Sequence, residues 1–116
     1  MPGRRERPVL VYDGDCAFCA KCVRAAERIG PDAETVAFQR ADLGALGLTE
    51  ERAAAALQWV EADGTVRSGH EAVAALLGTA GPAWRAAGRA LLLPGVSWIA
   101  ARAYRLVAEN RHRLPL

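Results

Sequence analysis

The stretch that decides the fold is "VLVYDGDCAFCAKC", which runs from Val9 to Cys22. Its first four residues, Val9–Tyr12, are apolar and typical of a strand buried in a parallel sheet. The sequence "DGD" then turns the chain. From Cys16 onwards the apolar residues recur with helical spacing until Gly30, where a glycine followed by proline ends a helix. The stretch therefore predicts a strand, a tight turn and a helix that carries the cysteines.

The segments after this helix alternate between strands and helices. Glu34–Gln39 has alternating apolar residues and predicts a second strand, which completes a β-α-β unit. Thr49 precedes two glutamates and predicts a capped helix that runs through the following alanines to Ala56. Leu57–Glu61 and Thr65–Ser68 flank an Asp-Gly pair, the residues that favour a tight hairpin turn.

A third helix follows the hairpin. Ser68 and Glu71 have the spacing of a capping box, with Ser68 as the N-cap of the helix "AVAALLG". The predicted order is β-α-β-α-β-β-α, with a small mixed sheet in which the first two strands are parallel and the hairpin is antiparallel to them. This α/β order is that of a thioredoxin-like fold, although the pattern alone leaves a generic α/β sandwich open.

Two more helices are predicted after Gly81, each opened by a proline. The first runs from Pro82 to about Leu92 and the second from Pro94 to about Arg111. One face of the second helix is mainly apolar and is expected to pack on the protein's own domain instead of on lipid; it consists of Ile99, Ala103, Leu106, Val107 and Asn110. Tryptophans 59, 84 and 98 are expected to anchor the core or an interface.

Length and composition predict a single domain over residues 1–116, with a basic tail at 1–7 and a helical extension at 82–113. The net charge is +2, and all but one of the 15 basic residues are arginine, a composition typical of a GC-rich bacterial genome. The arginines near the two ends do not alternate with aromatic residues, which argues against nucleic-acid binding.

The apolar runs are too short for a signal peptide or a membrane span. We therefore expect a cytoplasmic protein with no membrane association, in a compartment where thiols stay reduced.

The three cysteines form the candidate site. If Cys16 begins the helix, unpaired backbone N–H groups and the helix dipole stabilise its thiolate, the nucleophilic form of the residue. Cys19 lies one turn later, close enough to form a disulfide with Cys16 or to resolve a mixed disulfide. Cys22 is expected to be a buried, small apolar residue. The sequence thus predicts that exposure decreases from Cys16 to Cys22.

Two aspartates flank the turn before the cysteines. Asp13, at the end of a buried strand, is expected to shape the turn and to exchange a proton with Cys19. Asp15 is expected to cap the helix. An apolar strand that ends in D-x-D also resembles the nucleophile motif of haloacid-dehalogenase-type phosphatases. Those enzymes need a downstream lysine, whereas the one lysine here, Lys21, falls inside the first helix.

A metal site is the other reading of the cysteines. The C-x-x-C-x-x-C spacing supplies three soft ligands, and His70 is the candidate for a fourth. Structural zinc sites usually use two separated pairs of ligands, and iron–sulfur clusters usually need four cysteines. The sequence has no second cysteine pair. A non-enzymatic module that senses redox state or binds zinc or an iron–sulfur cluster stays open as the alternative function.

The motif Y-D-G-x-C-x-x-C resembles the opening motif of the DCC family of predicted thiol–disulfide oxidoreductases. Here it falls on Tyr12, Asp13, Gly14, Cys16 and Cys19. The W-V-x-x-D-G hairpin and the closing "YRLVAENRHRL" are also similar to segments of that family. The resemblance implies a thioredoxin-like fold and disulfide exchange through Cys16 and Cys19. The implied partner is a protein or small-molecule thiol or disulfide, with no bound cofactor and no metal.

One departure from thioredoxins concerns substrate docking. Thioredoxins place a cis-proline just before the third strand, facing the cysteines, where it docks the substrate backbone. This sequence has no proline within residues 50–66. Substrate docking is therefore expected to differ from that of thioredoxin.

Overall fold

The computed structural model describes residues 7–110. Most of the predicted basic tail at 1–7, and the end of the predicted helical extension beyond residue 110, lie outside the described residues. Arg7, the last residue of the tail, lies against the loop before the second strand. Its Nε is 3.2 Å from Asp32 Oδ1, and its Nη2 donates a hydrogen bond to the Ala33 carbonyl at 2.9 Å. These contacts hold the chain where the first strand begins.

The described strands form one mixed sheet of four strands in the order β2-β1-β3-β4. Their bounds are β1 Val9–Tyr12, β2 Glu34–Ala37, β3 Gln58–Val60 and β4 Val66–Ser68. β1 is parallel to β2 and antiparallel to β3, and β3 and β4 form an antiparallel hairpin. This arrangement confirms the predicted mixed sheet and the thioredoxin-like order. The cysteine motif follows the carboxyl end of β1, as the sequence predicts.

The helices of the described chain are α1 Ala17–Glu27, α2 Leu43–Leu46, α3 Glu50–Ala55, α4 His70–Gly78, α5 Pro82–Leu91 and α6 Val96–Asn110. The predicted second strand is too long, because residues Phe38–Arg40 form a 3₁₀ turn. The short helix α2 is absent from the sequence prediction. Its N-cap is Asp42, whose side chain accepts the Ala45 N–H at 3.2 Å.

The predicted cap of α3 is confirmed, and the predicted cap of α4 is wrong. Thr49 Oγ1 accepts the Arg52 N–H at 3.1 Å at the start of α3. At α4 the N-cap is Gly69, which has no side chain to cap the helix. Ser68 ends β4, and its hydroxyl donates to Oε1 of the buried Gln58 at 2.6 Å. The Ser68 hydroxyl, which the capping box would have used, is therefore engaged by the buried side-chain amide of Gln58.

The sheet has a packed apolar core on both faces. On one face lie Val9, Val11, Leu46, Leu48, Ala53 and Val60, and on the other lie Leu10, Val23, Ala33, Trp59, Ala72 and Leu76. Alternate side chains of β1 point to opposite faces, so a strand covered on both sides needs apolar residues throughout. This two-sided burial explains the unbroken apolar run with which the fold begins.

Helix α5 packs closely along α4. A Cβ placed on Gly88 of α5 would lie 2.6 Å from the carbonyl oxygen of Ala74 in α4, so only glycine allows the two backbones to approach this closely. Gly88 is also the buried residue of α5. The helix pair therefore extends the body of the domain beyond the sheet.

Helix α6 contradicts the predicted packing of its apolar face. No residue of α6 is buried, and Ile99 and Leu106 are each 62% exposed. The side of α6 that faces the domain carries Ala100, Ala103, Tyr104, Val107 and Ala108, so of the predicted face only Ala103 and Val107 lie towards the domain. The Tyr104 hydroxyl accepts the Leu57 N–H at 2.8 Å. This contact, together with that between His70 and Ser97, holds a face of the helix that only partly overlaps the one that hydrophobicity indicates.

The predicted role of the tryptophans as core or interface anchors is confirmed in the core for one residue, and the interface alternative stays a prediction for the other two. Trp59 is buried at the centre of the sheet, with 1% exposure, whereas Trp84 and Trp98 are exposed. Within residues 7–110, none of the helices combines the length and the apolar character that a membrane span requires.

Candidate functional site

The site begins at the turn between β1 and α1, which Asp13 organises. This residue directly follows β1 and is 9% exposed. Its Oδ1 accepts the Asp15 N–H at 3.0 Å, and its carbonyl oxygen accepts the Cys16 N–H at 3.3 Å. Gly14 is required between them, because a Cβ there would lie 2.7 Å from the Ala37 Cβ on the neighbouring strand. The "DGD" sequence therefore makes a close turn against β2.

Gln39 completes the turn, and sequence reasoning missed it. Its Nε2 donates to Asp13 Oδ1 at 2.8 Å and to Asp15 Oδ2 at 3.3 Å. Its Oε1 accepts the Gly14 N–H at 3.0 Å. The sequence placed Gln39 at the end of β2, next to the end of the parallel strand β1. A polar side chain at that shared edge was the one available signal for this contact.

The expected role of Asp15 as the cap of the first helix is wrong. The N-cap of α1 is Cys16, whose Sγ accepts the Cys19 N–H at 3.3 Å. The Asp15 carboxylate instead accepts a hydrogen bond from the side-chain amide of Gln39. The sulfur of Cys16 takes the place of a capping oxygen. It therefore accepts a hydrogen bond directly from one of the N–H groups that the start of a helix leaves unpaired. Such a contact stabilises a thiolate.

The order of exposure of the three cysteines is the reverse of the predicted one. Cys16 is 2% exposed, Cys19 is half-buried and Cys22 is exposed. Cys16 is enclosed because it lies between the end of the strand and the first turn of the helix. The buried position of α1 is taken by Val23, one residue beyond Cys22. The helical spacing puts Cys22 and Val23 on nearly the same face of α1. A rotation of the helix about its axis by less than half a turn decides which of the two side chains enters the core.

Cys22 lies at the edge of an apolar region, although its side chain reaches solvent. Desolvation raises the pKa of the Cys22 thiol, and the charge of a Cys16 thiolate raises it further. A raised thiol pKa lowers the thiolate fraction at neutral pH. Cys22 is therefore accessible but weakly nucleophilic, whereas Cys16 is enclosed but receives a thiolate-stabilising hydrogen bond.

An apolar cavity of about 520 Å³ opens beside Cys19 and Cys22. Its walls come from β1, α1, α4, α5, α6 and the segment before β3. Helix α6 is held over it by two polar contacts: the Tyr104 hydroxyl accepts the Leu57 N–H, and His70 Nε2 lies 2.9 Å from Ser97 Oγ. Asp13 reaches the same cavity from the turn.

The segment before β3 is where thioredoxins carry their cis-proline. Here it consists of Ala56 and Leu57, both of which line the cavity, and the described residues contain no cis peptide bond. The Leu57 N–H already donates to Tyr104. In this chain, α6 therefore covers the amide at this position, and the expected difference in substrate docking stays a prediction.

None of the three cysteines takes part in a disulfide bond. Within residues 7–110, no three histidine, cysteine, aspartate or glutamate side chains are arranged to hold a metal ion. His70, which the sequence offered as a fourth ligand, instead contacts Ser97 on α6.

The geometry of the turn and its two nearby thiols agrees with the result of a family comparison. The model of the DCC1-like thiol-disulfide oxidoreductase family matches residues 10–116. The chain belongs to this family. No curated protein and no solved structure matches the sequence. Membership confirms the resemblance found in the sequence and indicates thiol–disulfide redox chemistry with thiol or disulfide substrates.

Proposed function

We propose that this DCC1-like protein is a cytoplasmic thiol–disulfide oxidoreductase in which Cys16 attacks and Cys19 resolves. One observation carries the proposal. Cys16 Sγ occupies the N-cap of α1 and accepts the Cys19 N–H at 3.3 Å. The attacking sulfur thus has a hydrogen-bond donor and the positive end of a helix dipole beside it, the two features that stabilise a thiolate.

The proposed exchange proceeds in two steps. The Cys16 thiolate attacks one sulfur of a substrate disulfide, so that a mixed disulfide forms and the other substrate sulfur leaves as a thiolate, which takes a proton. Cys19 then loses its proton and attacks the Cys16 sulfur. The second substrate thiol leaves, and the Cys16–Cys19 disulfide remains. Two electrons pass from the dithiol to the substrate, and another thiol system restores the dithiol.

Asp13 is the proposed proton partner of Cys19. Its carboxylate and Cys19 line the same cavity, and Asp13 also shapes the turn that presents Cys16. In this role Asp13 accepts the Cys19 proton as the resolving thiol becomes a nucleophile, and returns it to the leaving thiol. The dithiol carries the electrons itself, so the reaction needs no bound cofactor. The partner is a protein or small-molecule thiol or disulfide.

The test combines three single-cysteine variants. Cys16→Ser is expected to abolish reduction of bis(2-hydroxyethyl) disulfide in a coupled assay. Cys19→Ser is expected to react once and stop as a mixed disulfide, visible as a mass increase. Cys22→Ser is the matched control and is expected to keep most of the activity, because it belongs to neither step.

Two outcomes would contradict this function. Exchange that survives Cys16→Ser would show that another thiol attacks. Stoichiometric zinc or iron in the purified protein, bound through the cysteines, would favour the metal-binding module instead. Free-thiol titration and metal analysis of one sample distinguish the two functions.

A further inference from the structure

The cavity beside the cysteines has the size of a small-molecule site. Its volume of about 520 Å³ falls within the range of roughly 300–1,000 Å³ that is typical of ligand pockets. One end meets the two thiols of Cys19 and Cys22, and the other lies under α6. The cavity therefore reaches the half-buried thiol of Cys19, which would resolve a mixed disulfide.

The walls of the cavity are almost entirely apolar. Leu10, Phe18, Val73 and Leu76 contribute to them, and the described residues that line the cavity include neither lysine nor arginine. The carboxylate in the lining, Asp13, already accepts hydrogen bonds from Gln39 and from the turn. An anionic substrate would therefore lose its hydration here without gaining a lysine or arginine counter-ion. A pocket lined in this way favours ligands with an apolar body.

Helix α6 forms one wall of this cavity without forming part of the core. None of its residues is buried, yet Ala100, Tyr104 and Val107 line the cavity. The Tyr104 hydroxyl also takes the Leu57 N–H, which in a thioredoxin-like protein lies beside the dithiol. A peptide substrate cannot pair with that amide while Tyr104 holds it. The covered backbone favours a small molecule over an extended peptide as the occupant.

We propose that this cavity binds the apolar body of a small uncharged disulfide and holds its sulfur atoms beside the dithiol, at Cys19. The inference rests on the proposed exchange function and specifies its substrate class. The bonds that form and break are those of the proposed exchange. The cavity adds selectivity between disulfides of equal intrinsic reactivity.

Two isosteric neutral disulfides test the selectivity. Dipropyl disulfide and bis(2-hydroxyethyl) disulfide have equal numbers of non-hydrogen atoms and differ by two methyl groups in place of two hydroxyls. Each rate of reduction is divided by the rate with dithiothreitol, which removes the difference in intrinsic reactivity. Burying one methyl-sized group changes affinity by about fourfold. We expect kcat/KM for dipropyl disulfide to exceed that for the hydroxylated disulfide by roughly fivefold or more after this correction.

Filling the cavity is expected to remove the preference. Ala100→Phe places a ring in the cavity, and Ala103→Phe does so at its exposed rim, in case the first variant folds poorly. Both are expected to bring the corrected ratio to about one, whereas the control Ala86→Phe, on the exposed side of α5, keeps it. Unchanged selectivity in the filled variants, or equal rates in the original protein, would overturn the inference while leaving the exchange function intact. No reduction of either disulfide would contradict both.

Discussion

Trp59 and Trp98 have the same side chain but opposite surroundings. Trp59 lies in β3, is 1% exposed and packs in the core, where its indole N–H donates to Glu61 Oε1 at 2.9 Å. Trp98 lies in α6, is 65% exposed, and has the Arg102 guanidinium 5.2 Å from its ring centroid. The apolar side chains of the sheet are therefore buried in a core, whereas the largest apolar side chains of α6 are exposed to solvent.

The difference between the two regions lies in how each is held. The sheet is covered on both faces by apolar side chains. Helix α6 is joined to the domain by contacts that include the Tyr104 and His70 hydrogen bonds, and it bounds a cavity instead of filling a core. The sheet thus carries the stability of the fold, and α6 shapes the space next to the thiols.

The largest expected effect separates the two tryptophans. Trp59→Ala should lower the free energy of unfolding by about 3–5 kcal/mol, because it empties a packed site. Trp98→Ala should cost less than about 1 kcal/mol, since it removes an exposed ring and one exposed cation–π contact. Denaturant unfolding followed by circular dichroism measures both. Equal losses would show that α6 belongs to the core.

A second prediction tests the close approach of α5 to α4. Gly88→Ala should lower the free energy of unfolding by about 1–3 kcal/mol, because the new Cβ overlaps the Ala74 carbonyl. Gly78→Ala in α4 is the matched control. Nothing lies within 4 Å of a Cβ at Gly78, and alanine favours helix, so this change should be neutral or stabilising by up to about 1 kcal/mol. Thermal unfolding of both variants provides the comparison, and a neutral Gly88→Ala would mean that the helices lie further apart.

A third prediction concerns the contact that holds α6. Tyr104→Phe removes the acceptor of the Leu57 N–H and should cost about 1–2 kcal/mol. Hydrogen exchange of the Leu57 amide should accelerate specifically, while amides of β1 stay protected. Leu106→Ala, on the exposed side of the same helix, should leave the Leu57 exchange rate unchanged. Slow exchange in Tyr104→Phe would mean that another group covers this amide.

The smallest expected effect is the pH dependence of the third thiol. The pKa of Cys22 is raised, so its thiolate fraction at a given pH is below that of an ordinary thiol. Alkylation of Cys22 by iodoacetamide should therefore reach half its maximal rate at a higher pH than alkylation of an unfolded cysteine peptide. In Cys16→Ser the midpoint should move down, because the second cause of the shift is the Cys16 charge. Peptide mapping across pH 6–10 measures both midpoints, and a Cys22 midpoint below that of the peptide would contradict the shift.

Local sequence patterns determined the elements that form the site. The apolar run of β1, the "DGD" turn and the helical spacing after Cys16 depend on residues close together in the chain, so spacing alone predicts them. The same holds for the hairpin and for the Thr49 cap. Local spacing therefore suffices to place the cysteine motif at the carboxyl end of β1.

The tertiary structure decided which side chains are covered, because burial depends on what packs over a residue and not on its neighbours in sequence. Hydrophobicity ranked Cys22 as buried and Ile99 as packed, yet both are exposed. Gln39 reaches Asp13 across 26 positions in the chain. Tyr104 meets Leu57 across 47, and a hydrogen bond over that distance in sequence leaves no periodic signal.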